Sequence, residues 1–248
     1  MISALVPRTA IVTGGARRIG RALVEMLAGQ GFSVAIHYRD SKTEALDLLD
    51  HIGGRGCVIG ADLSCEADVN RLAAEAVQQL GPIGVLINNA SAFIRDEVET
   101  VTRESWDQHL EPNLRAPFVL SQAMAAALPA EAEGLILNML DQRVWNLTPH
   151  FISYTVSRAG LWTLTQTLAL ALAPRIRVNA IGPGPVLPTV GRQSQEHFDR
   201  MCAQTPLKRG SSPEEIAEAA LALFSLPSVT GQMLAMDGGQ HLNWSPAR

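Results

Sequence analysis

The chain has 248 residues, of which 47% are hydrophobic and 18% charged, and its formal net charge is −4. That is the composition of a globular chain able to bury a sizeable core, and an acidic balance without any block of Lys or Arg excludes a nucleic-acid or anionic-membrane surface. Cys57, Cys65 and Cys202 show no CxxC or metal-like spacing, and the N-terminus runs into a strand without a basic leader or long apolar segment. The expectation is reduced thiols in the cytoplasm, with no metal and no membrane span.

Short aliphatic runs read as strands at 9–14, 33–38, 56–63, 84–90, 134–140, 176–184 and 232–239. Apolar residues on consecutive positions are expected of strands buried on both faces. Helical stretches alternate with them near 17–30, 41–52, 65–80, 103–130, 151–173 and 212–226. This alternation predicts an α/β fold in which about seven mostly parallel strands are doubly wound, with helices on both faces. No composition break divides the chain, so residues 1–248 are expected to form a single domain. Segment 185–211 interrupts the rhythm with a polar, charged run and is expected to be a substrate loop.

The first strand–helix turn is Thr13-Gly14-Gly15-Ala16-Arg17-Arg18-Ile19-Gly20. Gly14 lets the chain turn out of the strand, Gly20 allows close approach, and the helix start offers free N–H groups to a pyrophosphate. With a strand before it and a helix after, the stretch resembles the short-chain dehydrogenase/reductase family, whose pattern is T-G-x-x-x-G-x-G on a Rossmann-type sheet. Here the middle glycine is Arg18. In that respect the chain is similar to the pteridine reductase and dihydrofolate (dihydromonapterin) reductase branch, which carries a basic pair in this loop. The resemblance implies that Arg18 meets both cofactor phosphates and substrate, with Arg17 and Ile19 in the cofactor shell.

The second strand ends His37-Tyr38-Arg39-Asp40-Ser41, without the acid directly after the strand that would bind an adenosine 2′-hydroxyl. Arg39 offers a planar fork to a phosphate and Ser41 a hydroxyl, so NADPH is expected over NADH, with Asp40 opposing. His37 followed by basic and polar residues again resembles the pteridine reductases. By the same resemblance Asp62, Asn89 and Ala90 fall at cofactor-shell positions, Asn89 also bracing the sheet. Pro183 and Gly184 match the turn beside the nicotinamide.

Tyr154 lies thirteen residues after Asp141, and Arg158 follows one helical turn later on the same face. Most family members place a serine where Asp141 stands, whereas pteridine reductases carry an aspartate. Reducing a pterin C=N bond requires a proton at ring nitrogen, and a carboxyl group can trade protons and grip an amino-pyrimidine edge. Ser91 and Phe93 match that branch too, the phenylalanine covering the pterin, a stacking contact worth roughly 1–3 kcal/mol. Asn113 stands where the family has an asparagine in its active site. Arg158 replaces the family's lysine; as a permanent cation it can hold ribose hydroxyls and favour the tyrosinate, but it cannot pass a proton. Proton supply is therefore expected from Asp141, Tyr154 and ordered water. Two alternatives stay open: a carbonyl (ketone or acyl thioester) reductase, and a catalytically weak NADPH-binding protein. The resemblance also implies a homotetramer, with helices 103–130 and 151–173 at an interface and Trp244 reaching a neighbour's site.

Overall fold

The computed structural model describes residues 1–188 and 194–242. Its strands are β1 (Thr9–Val12), β2 (Ser33–Tyr38), β3 (Gly56–Gly60), β4 (Val85–Asn88), β5 (Gly134–Met139), β6 (Ile176–Pro183) and β7 (Met233–Met236). They form one sheet in the order β3-β2-β1-β4-β5-β6-β7, with every pairing parallel. The helices are α1 (Arg18–Gly29), α2 (Lys42–His51), α3 (Glu66–Leu80), α4 (Arg103–Leu110), α5 (Ala116–Ala127), α6 (Ile152–Leu172), α7 (Gln195–Gln204) and α8 (Pro213–Ser225).

Side chains alternate across each strand, so both faces of the sheet need cover. Val34, Ile36, Val85 and Ile87 pack with Leu23 and Leu27 of α1, Leu48 of α2 and Ile216 of α8. Ala35, Leu86 and Ile136 face the other way, onto Leu72 of α3, Leu120 of α5 and Leu168 of α6. Each fully buried Leu or Ile contributes about 1.5–3 kcal/mol, and that fixes the register. Val12 of β1 then lies between Ile36 and Ile87. The strand order reverses there, and the connections after β1 and β4 leave to opposite faces. A crevice opens beyond the carboxyl ends of the strands, where ligands of such sheets bind.

Two elements differ from expectation. The helix expected over 103–130 is broken: α4 passes into a π-helical turn, Glu111–Arg115, before α5 begins. Pro112 has no N–H for the regular ladder, and its ring crowds the preceding turn. The expected loop at 185–211 contains α7, started by Ser194, whose Oγ accepts from His197 N at 3.2 Å. Residues 189–193 of that segment, and Trp244, lie outside the described residues. Among the described residues, no helix is long and apolar enough to cross a membrane, and no group of His, Cys, Asp and Glu is placed to hold a metal ion.

Candidate active site

The phosphate loop is shaped by close approach. Gly14 has φ +60°, and a Cβ at Gly20 would lie 2.1 Å from Gly14 O and 2.8 Å from Asn89 Nδ2. The start of α1 can therefore sit against the loop only if residue 20 is glycine. Asn89 donates to the carbonyls of Thr13 and Gly14 at 2.9 and 3.1 Å, while Thr13 Oγ1 accepts from the N–H groups of Asn89 and Ala90. Asn89 is thus the brace between β4 and the loop. Arg18 has φ +57°. That is the left-handed region, which explains the usual glycine there and charges an arginine backbone roughly 1–2 kcal/mol. Its guanidinium donates to the carbonyls of Pro188 and Leu187 at 2.9 and 3.2 Å, tying the loop to the chain after β6. Burial holds its pKa below the usual arginine value, helped by the charge of Arg17. Arg17 itself is exposed and pairs with Glu44 at 3.4 Å. Ile19 packs against the core.

His37 does not face the crevice. Its Nδ1 accepts from Gly14 N at 2.9 Å, its Nε2 lies 3.0 Å from Ala61 O, and the residue is 2% exposed. This corrects its expected place among the cofactor contacts: the ring is an internal strut setting the phosphate loop against the end of β3. Burial lowers its pKa, opposed by the Ala61 carbonyl, Asp62 and Asp68, so it stays neutral.

A 530 Å³ cleft beyond β2 and β3 is lined by Arg39, Asp40, Gly60, Ala61, Asp62 and Asp68. Arg39 Nε donates to Asp40 Oδ2 at 2.7 Å on an open surface. Such a pair is worth at most about 1 kcal/mol, so a dianionic phosphate can compete for the guanidinium. Asp62 accepts from the Ser64 N–H and hydroxyl, which holds its carboxyl below the usual range. Ser41 precedes α2 without capping it, leaving its hydroxyl for another acceptor. The Gly14–Gly20 cradle and this cleft fit a dinucleotide carrying a 2′-phosphate. At the far side Gly184 N donates to Met236 O at 3.1 Å, and a Cβ at residue 184 would lie 2.7 Å from Asp237 Cα, so the Pro183–Gly184 turn admits only glycine at its second position.

The residues expected at the reacting centre meet beyond the end of β5. Asp141 continues in extended backbone (φ −149°, ψ 144°), and its Oδ1 accepts from Arg143 N at 2.9 Å, starting a short 3₁₀ turn, Gln142–Val144. The chain then returns to α6, whose first turn carries Tyr154. Tyr154 Oη donates to Asp141 Oδ2 at 3.0 Å. Arg158 is 2% exposed; its Cζ lies 5.3 Å from the Tyr154 ring centroid and its Nη1 donates to Met139 O at 2.9 Å. Burial pushes the Tyr154 pKa well above its ordinary value and the Asp141 charge adds to the rise, while Arg158 draws it down. The expected lowering by the cation is therefore outweighed, and Tyr154 is held as a phenol that donates.

Phe93 meets the Tyr154 ring edge-to-face at 4.7 Å. Ser91 is exposed, its hydroxyl turned to Ala92 O. Asn113 is fully buried: Oδ1 accepts from Ala92 N at 2.8 Å, and Nδ2 donates to Ala92 O and to Ser157 Oγ. These contacts use its hydrogen-bonding capacity on the chain after β4 and on α6. The structure thus corrects its expected catalytic place to a positioning one.

Two residues not foreseen complete the wall. Phe151 stacks on Phe93 with centroids 4.6 Å apart and planes 1° from parallel. Arg143 lies over the Phe151 ring, 4.8 Å from its centroid, and 3.9 Å from Asp141 Oδ2. Phe151 sits at φ +60°, a conformation that no local sequence signal announces for a bulky residue.

The chain belongs to the short-chain dehydrogenase/reductase family. The sequence profile described as enoyl-(acyl carrier protein) reductase matches residues 14–241. Among solved structures, FolM alternative dihydrofolate reductase 1 from Brucella canis, complexed with NADP, is 46% identical, covers 98% of each chain and superposes with a TM-score of 0.93. The FolM structure from Brucella suis with NADP is 47% identical over 96% of each chain, with a TM-score of 0.92. A probable galactose dehydrogenase of Rhizobium meliloti is 37% identical over 94% of each chain.

Proposed function

We propose that this oxidoreductase reduces a C=N bond of a dihydropterin or dihydrofolate. The observation that carries the reading is the Tyr154 hydroxyl donating to the Asp141 carboxylate at 3.0 Å beside the Phe93 ring. The likeness to two FolM dihydrofolate reductases at 46–47% identity supports it. The cofactor is NADPH, which when bound supplies the hydride that adds to the carbon of the C=N bond. Gly14, Gly20 and the start of α1 hold its pyrophosphate, and Arg39 with Ser41 takes the 2′-phosphate.

Phe93 gives a flat heterocycle an aromatic surface, and Asp141 accepts from its amino-pyrimidine edge. Tyr154 donates the proton that the ring nitrogen takes up as the bond is reduced. Asp141 is about one-fifth exposed, so it connects Tyr154 to water, from which the lost proton is replaced. Arg158 keeps its own proton and offsets the Asp141 charge across the Tyr154 ring. Self-association to a tetramer belongs to the same proposal, supported by a 330 Å³ groove on α4–α6 lined by Leu110, Glu111, Leu114, Arg115, Phe118 and Leu164.

The test follows NADPH absorbance with 7,8-dihydropterins, dihydrofolate and a panel of ketones and sugars. Turnover of the pterin set is expected. The 37% likeness to a galactose dehydrogenase favours a second reading, and turnover confined to carbonyl or sugar substrates would replace the first with it.

A further inference from the structure

Behind the reacting pair lies a polar cluster that this chemistry does not use. Asp96, His109 and Ser153 are each at most 3% exposed. They come from the segment after β4, the last turn of α4 and the first turn of α6. The Ile94 N–H donates to His109 Nε2 at 3.0 Å. A backbone amide can only donate, so Nε2 is the bare nitrogen and the proton of the neutral ring sits on Nδ1. Nδ1 lies 2.6 Å from Ser153 Oγ and donates to it. The serine hydroxyl in turn donates to Asp96 Oδ2. Burial keeps the imidazole pKa below its ordinary value against the pull of Asp96 and of the Ser105 carbonyl, and Arg158 adds to the lowering.

Two links of this chain adjoin the wall of the site. Ile94 directly follows Phe93, and Ser153 directly precedes Tyr154. Asp96 also accepts from Ser153 N at 3.3 Å through Oδ1 and from Phe151 N at 2.8 Å through its carbonyl. The same cluster therefore holds Phe93, the Phe151 stacked upon it and Tyr154. A buried carboxylate is costly unless it is paired and hydrogen-bonded. An apolar plug would fill the space more cheaply, but it would give neither segment a direction.

We propose that His109 is a positioning residue: the chain Asp96–Ser153–His109–Ile94 sets the Phe93 ring relative to the Tyr154 hydroxyl, and so the reach of a flat substrate to its proton donor. This rests on the reading that Phe93 and Tyr154 meet the substrate. Three variants separate the links. His109→Phe removes both. His109→Gln brings an amide oxygen to the place of Nε2 and keeps an acceptor for Ile94. His109→Asn brings an amide donor to the place of Nδ1 and keeps only the link to Ser153.

Dihydropterin KM is expected to rise about tenfold in the Phe and Asn variants, equivalent to about 1.4 kcal/mol and within the cost of one unpaired buried N–H. It is expected to rise only about threefold in the Gln variant, which keeps the acceptor for Ile94 and loses the link to Ser153, with NADPH affinity unchanged in all three. Amide exchange of the peptide spanning 91–97 gives a second readout that needs no substrate. That peptide should exchange fast in the Phe and Asn variants and slowly in wild type and Gln. Equal KM values across the series, or undiminished protection in His109→Phe, overturn the inference. A wild type that reduces no pterin refutes the substrate reading alone, and the exchange pattern then decides the link by itself. Where His109→Phe does not fold, Ser153→Ala cuts the chain by one hydroxyl. It is expected to raise pterin KM about threefold, again about the net value of one hydrogen bond, and an unchanged KM overturns the proposal.

Discussion

Asp141→Asn tests the reacting pair at its most specific point, because it keeps the shape of the side chain and removes its charge. The carboxylate oxygen stands 3.0 Å from Tyr154 Oη. At that distance a full charge opposes a forming tyrosinate by about 1.4 kcal/mol in a water-like dielectric and about 5.5 kcal/mol at an effective value near 20. Asp141 is about one-fifth exposed, so the effect lies between those limits. Ionising Tyr154 should become at least about tenfold easier, with burial still holding its pKa up. The chain has only two tyrosines, so a Tyr38→Phe background leaves one phenol to follow by tyrosinate absorbance. The midpoint is expected to fall in Asp141→Asn while turnover drops by about 10²-fold or more, the usual weight of a lost acid–base group. A midpoint that stays or rises would refute the electrostatic account of Tyr154. Undiminished turnover would remove Asp141 from proton supply.

Arg158→Lys keeps the cation but is too short to hold Met139 O, so thermal or denaturant unfolding should show a loss of about 1–3 kcal/mol. Turnover should stay within about tenfold, whereas Arg158→Met should abolish it if the charge opposite Asp141 is required. Gly20→Ala places a Cβ 2.1 Å from Gly14 O; about 3 kcal/mol of stability or more should be lost, and NADPH binding by fluorescence titration should fail. His37 and His109 are both held neutral by burial in the folded chain, while in the unfolded chain histidine takes its proton near pH 6.5. The unfolded state then binds more protons, so stability present above about pH 6.5 should fall as pH drops below it, by up to about 1.4 kcal/mol per pH unit for each ring. Urea midpoints at pH 7.5 and 5.5 check this, and a flat or rising stability on acidification would contradict it.

The sheet was legible because its evidence is local. Each strand is a short aliphatic run, and β2 over 33–38 was placed to the residue. Consecutive apolar residues have no alternative to burial on both faces. The Asp141 and Tyr154 pairing was legible for a different reason. Asp141 follows the end of β5 and Tyr154 lies in the first turn of the following helix, at the two places where the resemblance to the family puts the pair. The break after α4 was also written locally, in Pro112, although a continuous helix was expected. α7 likewise carried a start signal in Ser194 and Glu196, obscured by the polarity of the run around it.

Other assignments needed the folded chain. His37 reads from sequence as a cofactor contact because it stands near the end of the second strand in a run that resembles the pteridine reductases. Yet the side chain at that position points inward, where Gly14 N and Ala61 O are its nearest polar groups. Asn113 reads as catalytic, while its three hydrogen bonds brace backbone and Ser157. His109, Ser153 and Asp96 carry no shared pattern, for they lie 44 and 57 residues apart along the chain. Sequence by itself determined the α/β class, the phosphate loop and the tyrosine with its cation, since periodicity, glycine placement and helical spacing act within a few residues. Only the tertiary structure decided which polar side chains face the crevice and which support it from behind. A buried polar group must find its partner wherever packing brings one, and that place is set by the whole sheet rather than by its neighbours in sequence.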